Sequence, residues 1–245
     1  MNHQLFMQRC FELALSGIGD VAPNPLVGSV LVRNNDIIAE GYHAFFGGPH
    51  AEVNAISNVT DSSILKDCTL YVNLEPCSHF GKTPPCSSLI IEKEIPRVVI
   101  SNKDPNPLVN GKGIDKLRAA GIEVITDVLE AEGHDLNKRF FTFQIQKRPY
   151  IILKWAQSTD GFIAPENNTG ITWISNPSSR LLVHKWRSEE QAILIGKNTA
   201  LTDNPKLNVR GFNARDPIRI VIDPKLDLPS TLNVFNDKVK TIIIN

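Results

Sequence analysis

The stretch LYVNLEPCSHFGKTPPCSSLIIEKE, residues 70–94, contains a strand, a loop with a cysteine at each end, and a helix. LYVNL at 70–74 predicts the strand, and CSSLIIEKE at 86–94 predicts the helix. RVVIS at 97–101 follows and predicts another strand. This alternation of strand and helix is typical of an α/β sandwich.

The regions on both sides extend the same α/β unit. Apolar spacing predicts a first helix, two apolar runs around Asn34-Asn35 predict a hairpin, and later segments alternate between helix and strand. The predicted elements are a helix over 4–15, strands over 27–33 and 36–41, a helix starting near His50, a helix over 114–121 that stops at Gly121, a strand over 123–127 and a helix over 129–141.

The pattern restarts at Lys147-Arg148-Pro149, so we predict two domains, 1–146 and 147–245. The predicted elements of the second are a strand and turn over 150–161, a loop over 165–170, a helix over 177–187, a strand over 192–196, a polar loop over 197–211, and strands over 218–223 and 240–245. Because the last strand has nothing after it, we expect the second domain to be incomplete.

The composition favours a small-molecule substrate. Among 245 residues, Lys+Arg and Asp+Glu both total 26, so the formal net charge is zero and there is no long basic run for a nucleic acid. No apolar run approaches the length of a membrane span, and the N-terminus lacks the features of a signal peptide. We therefore expect a cytoplasmic protein with neither nucleic acid nor membrane as a partner.

Three residues predict a catalytic zinc site. His50 opens a helix, Cys77 follows a strand and Cys86 opens the next helix. Zinc prefers tetrahedral imidazole and thiolate ligands, and a catalytic site leaves one position open, so three ligands fit where a structural site would want four. Helix starts also favour thiolates, because backbone N–H groups point at them. The other cysteines, Cys10 and Cys68, are expected to be small buried hydrophobes.

Glu52 is close to a ligand without being one. Two thiolates neutralise the zinc charge, so a zinc water benefits from a nearby base, and Glu52 can carry its proton to a ring nitrogen and a leaving amine. H-x-E followed by P-C and a second Cys is the signature of zinc nucleobase deaminases. His79, two residues after Cys77, is a rival ligand to Cys86.

Eight residues separate Cys77 from Cys86, where nucleoside and tRNA deaminases typically have two. With this spacing the first domain resembles the bifunctional deaminase/reductase family of riboflavin biosynthesis. The matching motifs are PNPLVG at 23–28, GYH at 41–43, PHAEV at 49–53, PCSHFGKTPPC at 76–86 and DPNP at 104–107.

The resemblance implies a cytidine-deaminase-like three-layer α/β/α domain. It also implies hydrolytic, zinc-dependent deamination of 2,5-diamino-6-(5-phosphoribosylamino)pyrimidin-4(3H)-one to 5-amino-6-(5-phosphoribosylamino)uracil. Asn24 and His43 would contact the pyrimidine edge, His79 and Lys82 the phosphate, and Asp104 and Asn106 the ribose hydroxyls.

Residues 149–245 resemble part of the reductase domain of the same family, which has a dihydrofolate-reductase-like α/β fold and reduces the ribosyl group to ribityl with NADPH. The implied NADPH contacts are Gln157, Trp173, Thr199 and Asp203, with Lys154 as a further polar candidate. The implied substrate contacts are Ile171, Arg187, Leu207 and Arg210, with the arginines suited to phosphate.

Two departures from this family are visible. Ile171 stands where the family usually has a small polar residue. The sequence has no G-x-G-x-x-G and stops before the glycine-rich loop that binds the NADPH phosphates in the family, so we do not expect reductase activity from these residues alone. The alternatives are another zinc deaminase, acting on a base, nucleoside or tRNA, and a zinc-stabilised binding module. Self-association is left open.

Overall fold

A computed structural model describes residues 2–79, 84–164 and 173–245. The chain divides into two compact units, Met1–Ile151 and Ile152–Asn245, each built around its own sheet. Within the described ranges, no helix is both long and apolar enough to cross a bilayer.

A five-stranded mixed sheet forms the first unit, with strand order β2-β1-β3-β4-β5. Its elements are α1 (His3–Leu15), β1 (Gly28–Arg33), β2 (Asp36–Tyr42), α2 (Ala51–Ser57), β3 (Thr69–Leu74), α3 (Cys86–Glu92), β4 (Arg97–Asn102), α4 (Lys112–Ala119), β5 (Glu123–Ile125), α5 (Glu130–Leu136) and α6 (Lys138–Gln146), with a short 3₁₀ helix at Ser62–Asp67. β1 is antiparallel to β2 and β3, whereas β3, β4 and β5 are parallel. Parallel neighbours bring the loops after β3 and β4 to one edge of the sheet, and the candidate site lies there.

Both faces of this sheet are covered, as the alternation of side chains along β3 shows. Leu70 and Val72 pack into one core cluster, which includes residues of α2, α3 and α4. Tyr71, between them, packs on the opposite face against Phe6 and Met7 of α1. The predicted three-layer α/β/α arrangement is therefore confirmed. Cys10 and Cys68 are buried in these two clusters, as expected.

The predicted hairpin forms at Asn34 and Asn35. Both residues adopt left-handed backbone conformations, with φ of 51° and 69°. Two consecutive positive φ values are what a two-residue type I′ turn requires, and Asn tolerates them better than most residues. The turn pairs Arg33 with Asp36, and the register then shifts by one residue between Leu31 and Val32, so that Gly28 is opposite Tyr42.

The predicted helix over 129–141 is wrong in one respect, because the chain breaks at Asn137 into α5 and α6. Asn137 has φ −102° and ψ 22°, and its amide binds a distant backbone segment: Oδ1 accepts from Leu26 N at 2.8 Å and Nδ2 donates to Leu26 O at 2.9 Å. This tertiary contact fixes a conformation that a continuous helix would not allow.

The second unit has a three-stranded parallel sheet of order β6-β7-β8. Its elements are α7 (Pro177–Glu189), β6 (Ala192–Gly196), α8 (Lys197–Asp203), β7 (Ile218–Ile222) and β8 (Thr241–Ile244), with a 3₁₀ turn at Asn233–Phe235. The guanidinium of Arg219 is buried and donates to the carbonyls of Asn233 and Asn236, at 2.9 and 2.8 Å.

Two predictions for this unit are wrong. Residues 150–157 form no strand, because none of the described strands pairs with them, although the turn at Gly161 forms with φ 89°. The polar run at 197–211 begins with α8, whose Ala200 is buried in the small core of this unit. The predicted loop at 165–170 lies outside the described residues.

Glu40 of β2 binds Arg9 of α1, and from this pair we predict that the stability of the fold depends on pH. Arg9 donates from Nε and Nη2 to the two carboxylate oxygens of Glu40 at 2.6 and 2.9 Å, and this hydrogen bonding lowers the pKa of Glu40. A depressed pKa stabilises the fold at pH values above the unfolded-state pKa, and this contribution is lost as pH falls through the folded-state pKa. Urea unfolding of Glu40→Gln should show a loss of about 0.5–1 kcal/mol at neutral pH and none below the folded-state pKa. An equal loss at both pH values would contradict this assignment.

Candidate active site

Three sulfur and nitrogen ligand atoms meet where β3, α2 and α3 converge. Those of His50, Cys77 and Cys86 all lie within 4.8 Å of one another. His50 Nδ1 is 3.2 Å from Cys86 Sγ and 3.6 Å from Cys77 Sγ. They form the one group of three or more His, Cys, Asp or Glu residues, among those described, that could hold a metal ion.

Each ligand is placed by the end of a secondary-structure element. His50 is the N-cap residue of α2, and its side chain makes no capping hydrogen bond, which leaves the ring free to face the cysteines. Cys77 lies three residues after the end of β3, and Cys86 is the first residue of α3. The Cys86 N–H donates to Cys77 Sγ at 3.3 Å. Such N–H groups at a helix start stabilise a thiolate.

The donor set fits zinc. With zinc–sulfur bonds of about 2.3 Å and zinc–nitrogen bonds of about 2.0 Å, tetrahedral geometry places a nitrogen and a sulfur ligand about 3.5 Å apart. The two observed nitrogen–sulfur distances, 3.2 and 3.6 Å, lie on either side of this value. One imidazole and two thiolates leave the fourth coordination position for a water or a substrate.

Glu52 lies in the first turn of α2 and is only 3% exposed. Burial raises the pKa of its carboxyl, whereas the charge of the neighbouring His50 acts in the opposite direction and lowers it. The pKa of His50 is raised to about 9, chiefly by its hydrogen bond with Cys77. Hydrogen bonding from Cys86 lowers the pKa of Cys77. The site thus combines one stabilised thiolate with a buried carboxyl group that holds a proton more readily than usual.

Asn24 and His43 form one wall of the site. His43 is buried, with its ring centroid 5.8 Å from that of His50. Its Nδ1–H donates to the carbonyl of Pro49 at 2.9 Å, so Nε2 is left to accept from Asn24 Nδ2 at 3.0 Å. This chain of bonds leaves Asn24 Oδ1 as an acceptor for a ligand.

Two buried asparagines that sequence reasoning missed hold the segment after Asn24. Asn73 Oδ1 accepts from Gly28 N at 2.7 Å, and Asn73 Nδ2 donates to Leu26 O at 2.9 Å. Asn137 Nδ2 donates to the same Leu26 carbonyl, and Asn137 Oδ1 accepts from Leu26 N. An Asn in the middle of the apolar run LYVNL was a visible signal for Asn73, because a buried amide needs polar partners.

Asp104 and Asn106 lie in the loop between β4 and α4. Asp104 is buried, and its Oδ1 accepts from Asn106 N at 2.8 Å. Desolvation raises the pKa of Asp104 to about 6, while the nearby His79 lowers it. His79 is exposed at the start of the loop between the cysteines, and Lys82 lies outside the described residues. Sequence reasoning missed Glu75, whose carboxylate accepts from Asp104 N at 3.2 Å.

In the second unit, the structure brings together Arg187 and Arg210 around His184, which sequence reasoning missed. Arg187 Nη1 is 3.5 Å from His184 Nδ1, and Arg210 N donates to the same nitrogen at 3.2 Å. Burial and the charge of Arg210 lower the pKa of Arg187, as expected of a crowded cationic site. His184 precedes Arg187 by one helical turn on α7, and this spacing was its signal.

The other predicted reductase residues are more dispersed. Leu207 is 7% exposed and packs into the small core with Ala200 and Val221. Thr199 and Asp203 lie one turn apart on α8. Gln157, Trp173 and Lys154 are exposed, and Ile171 lies outside the described residues.

Family models match both parts of the chain. Residues 1–102 match the cytidine and deoxycytidylate deaminase zinc-binding region. Residues 149–245 match the RibD C-terminal domain.

Named relatives match almost the whole chain. The riboflavin biosynthesis protein RibD of Aquifex aeolicus is 46% identical over 98% of this chain and 67% of its own length. That of Actinobacillus pleuropneumoniae is 47% identical over 91% of this chain and 59% of its own length. A Thermotoga maritima diaminohydroxyphosphoribosylaminopyrimidine deaminase/5-amino-6-(5-phosphoribosylamino)uracil reductase matches with a TM-score of 0.93 and 44% identity, covering 98% of this chain and 69% of that one.

Fold, site and matches define a chain with a zinc-binding domain of the cytidine-deaminase class followed by a reductase-type α/β domain. The chain belongs to the RibD family of riboflavin biosynthesis proteins. It spans about three fifths to two thirds of the length of the curated relatives named above.

Proposed function

We propose that the chain hydrolytically deaminates 2,5-diamino-6-(5-phosphoribosylamino)pyrimidin-4(3H)-one to 5-amino-6-(5-phosphoribosylamino)uracil. The observation that carries this proposal is the donor set of His50, Cys77 and Cys86, with buried Glu52 beside it, in a RibD-family chain. The proposed deaminase domain is 1–146, and the proposed reductase domain is 147–245.

His50, Cys77 and Cys86 would hold zinc. When bound, zinc lowers the pKa of a water molecule and so supplies the hydrolytic nucleophile. The Glu52 carboxylate accepts the proton of the attacking water, donates it to the pyrimidine ring nitrogen, and then transfers the second proton to the leaving amine, which departs as ammonia. The burial of Glu52 supports this role, because a carboxyl with a raised pKa holds the transferred proton more readily than an exposed one.

The remaining first-domain residues would bind the substrate. The Asn24 amide, oriented by His43, faces the pyrimidine edge, and the Asp104 carboxylate with Asn106 takes the ribose hydroxyls. His79 and Lys82 take the phosphate, for which Lys is a compact point-charge partner.

In the second domain we propose NADPH binding by Gln157, Trp173, Thr199 and Asp203, and substrate binding by Ile171, Arg187, Leu207 and Arg210. The closely spaced cations on and near α7 support the substrate part. Burial and the charge of Arg210 lower the pKa of Arg187, and an anionic phosphate would stabilise the charged guanidinium against both effects.

Mass spectrometry of the diaminopyrimidine ribosyl phosphate, incubated with zinc-loaded protein, tests the deaminase. We expect one amino group to be exchanged for oxygen, with release of one ammonia per turnover. A parallel incubation with NADPH detects reduction as a further gain of two hydrogens. An unchanged pyrimidine substrate, together with turnover of a nucleoside or a tRNA, would overturn the assignment in favour of another zinc deaminase.

A further inference from the structure

Glu75 is a buried carboxylate, 4% exposed, two residues before the ligand Cys77. It accepts four backbone N–H groups. Oε2 accepts from Asp104 N at 3.2 Å and Gly111 N at 2.9 Å, whereas Oε1 accepts from Gly113 N at 2.9 Å and Ile114 N at 3.3 Å.

These donors belong to the loop between β4 and α4 and to the first turn of α4. The first N–H groups of a helix have no intrahelical partner, and a negative charge is favourable beside them. Gly111 is the N-cap residue and supplies no side-chain cap, so Glu75, reaching across from the end of β3, takes that role. The same carboxylate also holds the backbone of Asp104.

Gly113, in the first turn of α4, packs closely against the backbone that precedes Cys77. A Cβ atom on Gly113 would lie 2.1 Å from the carbonyl oxygen of Pro76, so α4 begins directly against the turn that leads to Cys77. The metal-ligand turn and the loop of Asp104 are therefore joined through one carboxylate and one glycine contact.

We propose that Glu75 is a positioning residue that sets the distance between the metal-ligand turn at Cys77 and the substrate-binding loop of Asp104. The inference rests on the proposed deaminase function. This position requires a carboxylate because each of the two oxygens accepts two N–H groups. In a glutamine, the NH₂ group cannot accept, so in either orientation of the amide it would be placed against two N–H donors. Both oxygens of Glu75 accept backbone N–H groups of the Asp104 loop and α4, and Glu75 is not among the three grouped ligand residues, so its loss should displace Asp104 more than the ligand atoms.

The first test is Glu75→Gln, assayed for zinc content, kcat and KM with the diaminopyrimidine ribosyl phosphate. We expect KM to rise about tenfold or more, kcat to stay within about threefold, and one zinc to remain bound, the loss being in substrate binding. Glu123→Gln removes an exposed carboxylate that pairs with Arg97 and is the control, with both constants unchanged.

A milder pair of variants covers the case in which Glu75→Gln does not fold. Gly111 and Gly121 flank α4, have φ of 85° and 83°, and have open space where a Cβ would stand. Alanine strains the backbone equally at both, but only Gly111 donates to Glu75. We expect Gly111→Ala to raise KM about threefold and Gly121→Ala to leave KM unchanged at similar stability.

The outcomes separate the two proposals. A wild-type protein without turnover overturns the deaminase function itself. A wild-type protein that turns over, with folded Glu75→Gln and Gly111→Ala variants showing wild-type KM, overturns the positioning role alone. A lowered melting temperature with unchanged KM assigns Glu75 a purely structural role and counts against the proposal.

Discussion

Replacing Glu52 by Gln is expected to lower kcat for deamination by about 10²–10⁴-fold while zinc stays bound. Gln has the size of Glu but cannot accept and return a proton, and Glu52 is not among the three ligand residues. Ammonia release gives kcat, and elemental analysis of the dialysed protein gives the zinc content. Loss of turnover with retained zinc separates a catalytic site from a structural one.

The stability of this variant provides an internal control. Because burial raises the pKa of Glu52, the folded state disfavours its charged form, and the neutral Gln should not lower the melting temperature of chelator-treated protein. Glu92→Gln, at an exposed pair with Lys93, should leave kcat unchanged. A Glu52→Gln variant within about fivefold of the wild-type kcat would remove Glu52 from the mechanism.

Replacing Cys86 by Ser should raise the dissociation constant for zinc by about 100-fold or more and abolish turnover. The hydroxyl of Ser does not ionise near neutral pH, so one of only two anionic ligands is lost. Competition with a chromogenic chelator measures the affinity. The matched control is Cys68→Ser, because Cys68 Sγ donates to Ile64 O, a bond that a hydroxyl can also make.

Equal zinc affinity in the Cys86 and Cys68 variants would exclude Cys86 as a ligand. It would favour His79, which follows Cys77 by two residues and is exposed in the structure. A His79→Ala variant distinguishes the two directly, since zinc should be retained if Cys86 is the third ligand.

The sequence was sufficient to predict those structural features that depend mainly on the residues that form them. Asn34-Asn35 predicted a hairpin because few residue pairs tolerate two positive φ values, and the turn forms there. LYVNL at 70–74 predicted a strand, and β3 forms there with all its residues buried. His50, Cys77 and Cys86 could be grouped from the sequence because metal ligands have a narrow chemistry, and their ligand atoms do lie close together.

Features decided by distant partners were not predictable. The break at Asn137 depends on Leu26, which is 111 residues away, and no helical propensity shows it. Residues 150–157 have a strand-like pattern, but a strand also requires a partner, and none of the described strands provides one. Glu75 precedes a predicted ligand, yet its role depends on N–H groups beyond residue 103.

The contact between Asn137 and Leu26 also bears on the order in which the first unit folds. A contact between residues 111 positions apart raises the contact order of the fold, and folds of higher contact order fold more slowly. During synthesis, the contacts of Asn73 with Leu26 and Gly28 can form before Asn137 has left the ribosome, whereas the contact of Asn137 with Leu26 cannot. The segment that carries Asn24 therefore gains its last support only after His50, Cys77 and Cys86 have all been synthesised.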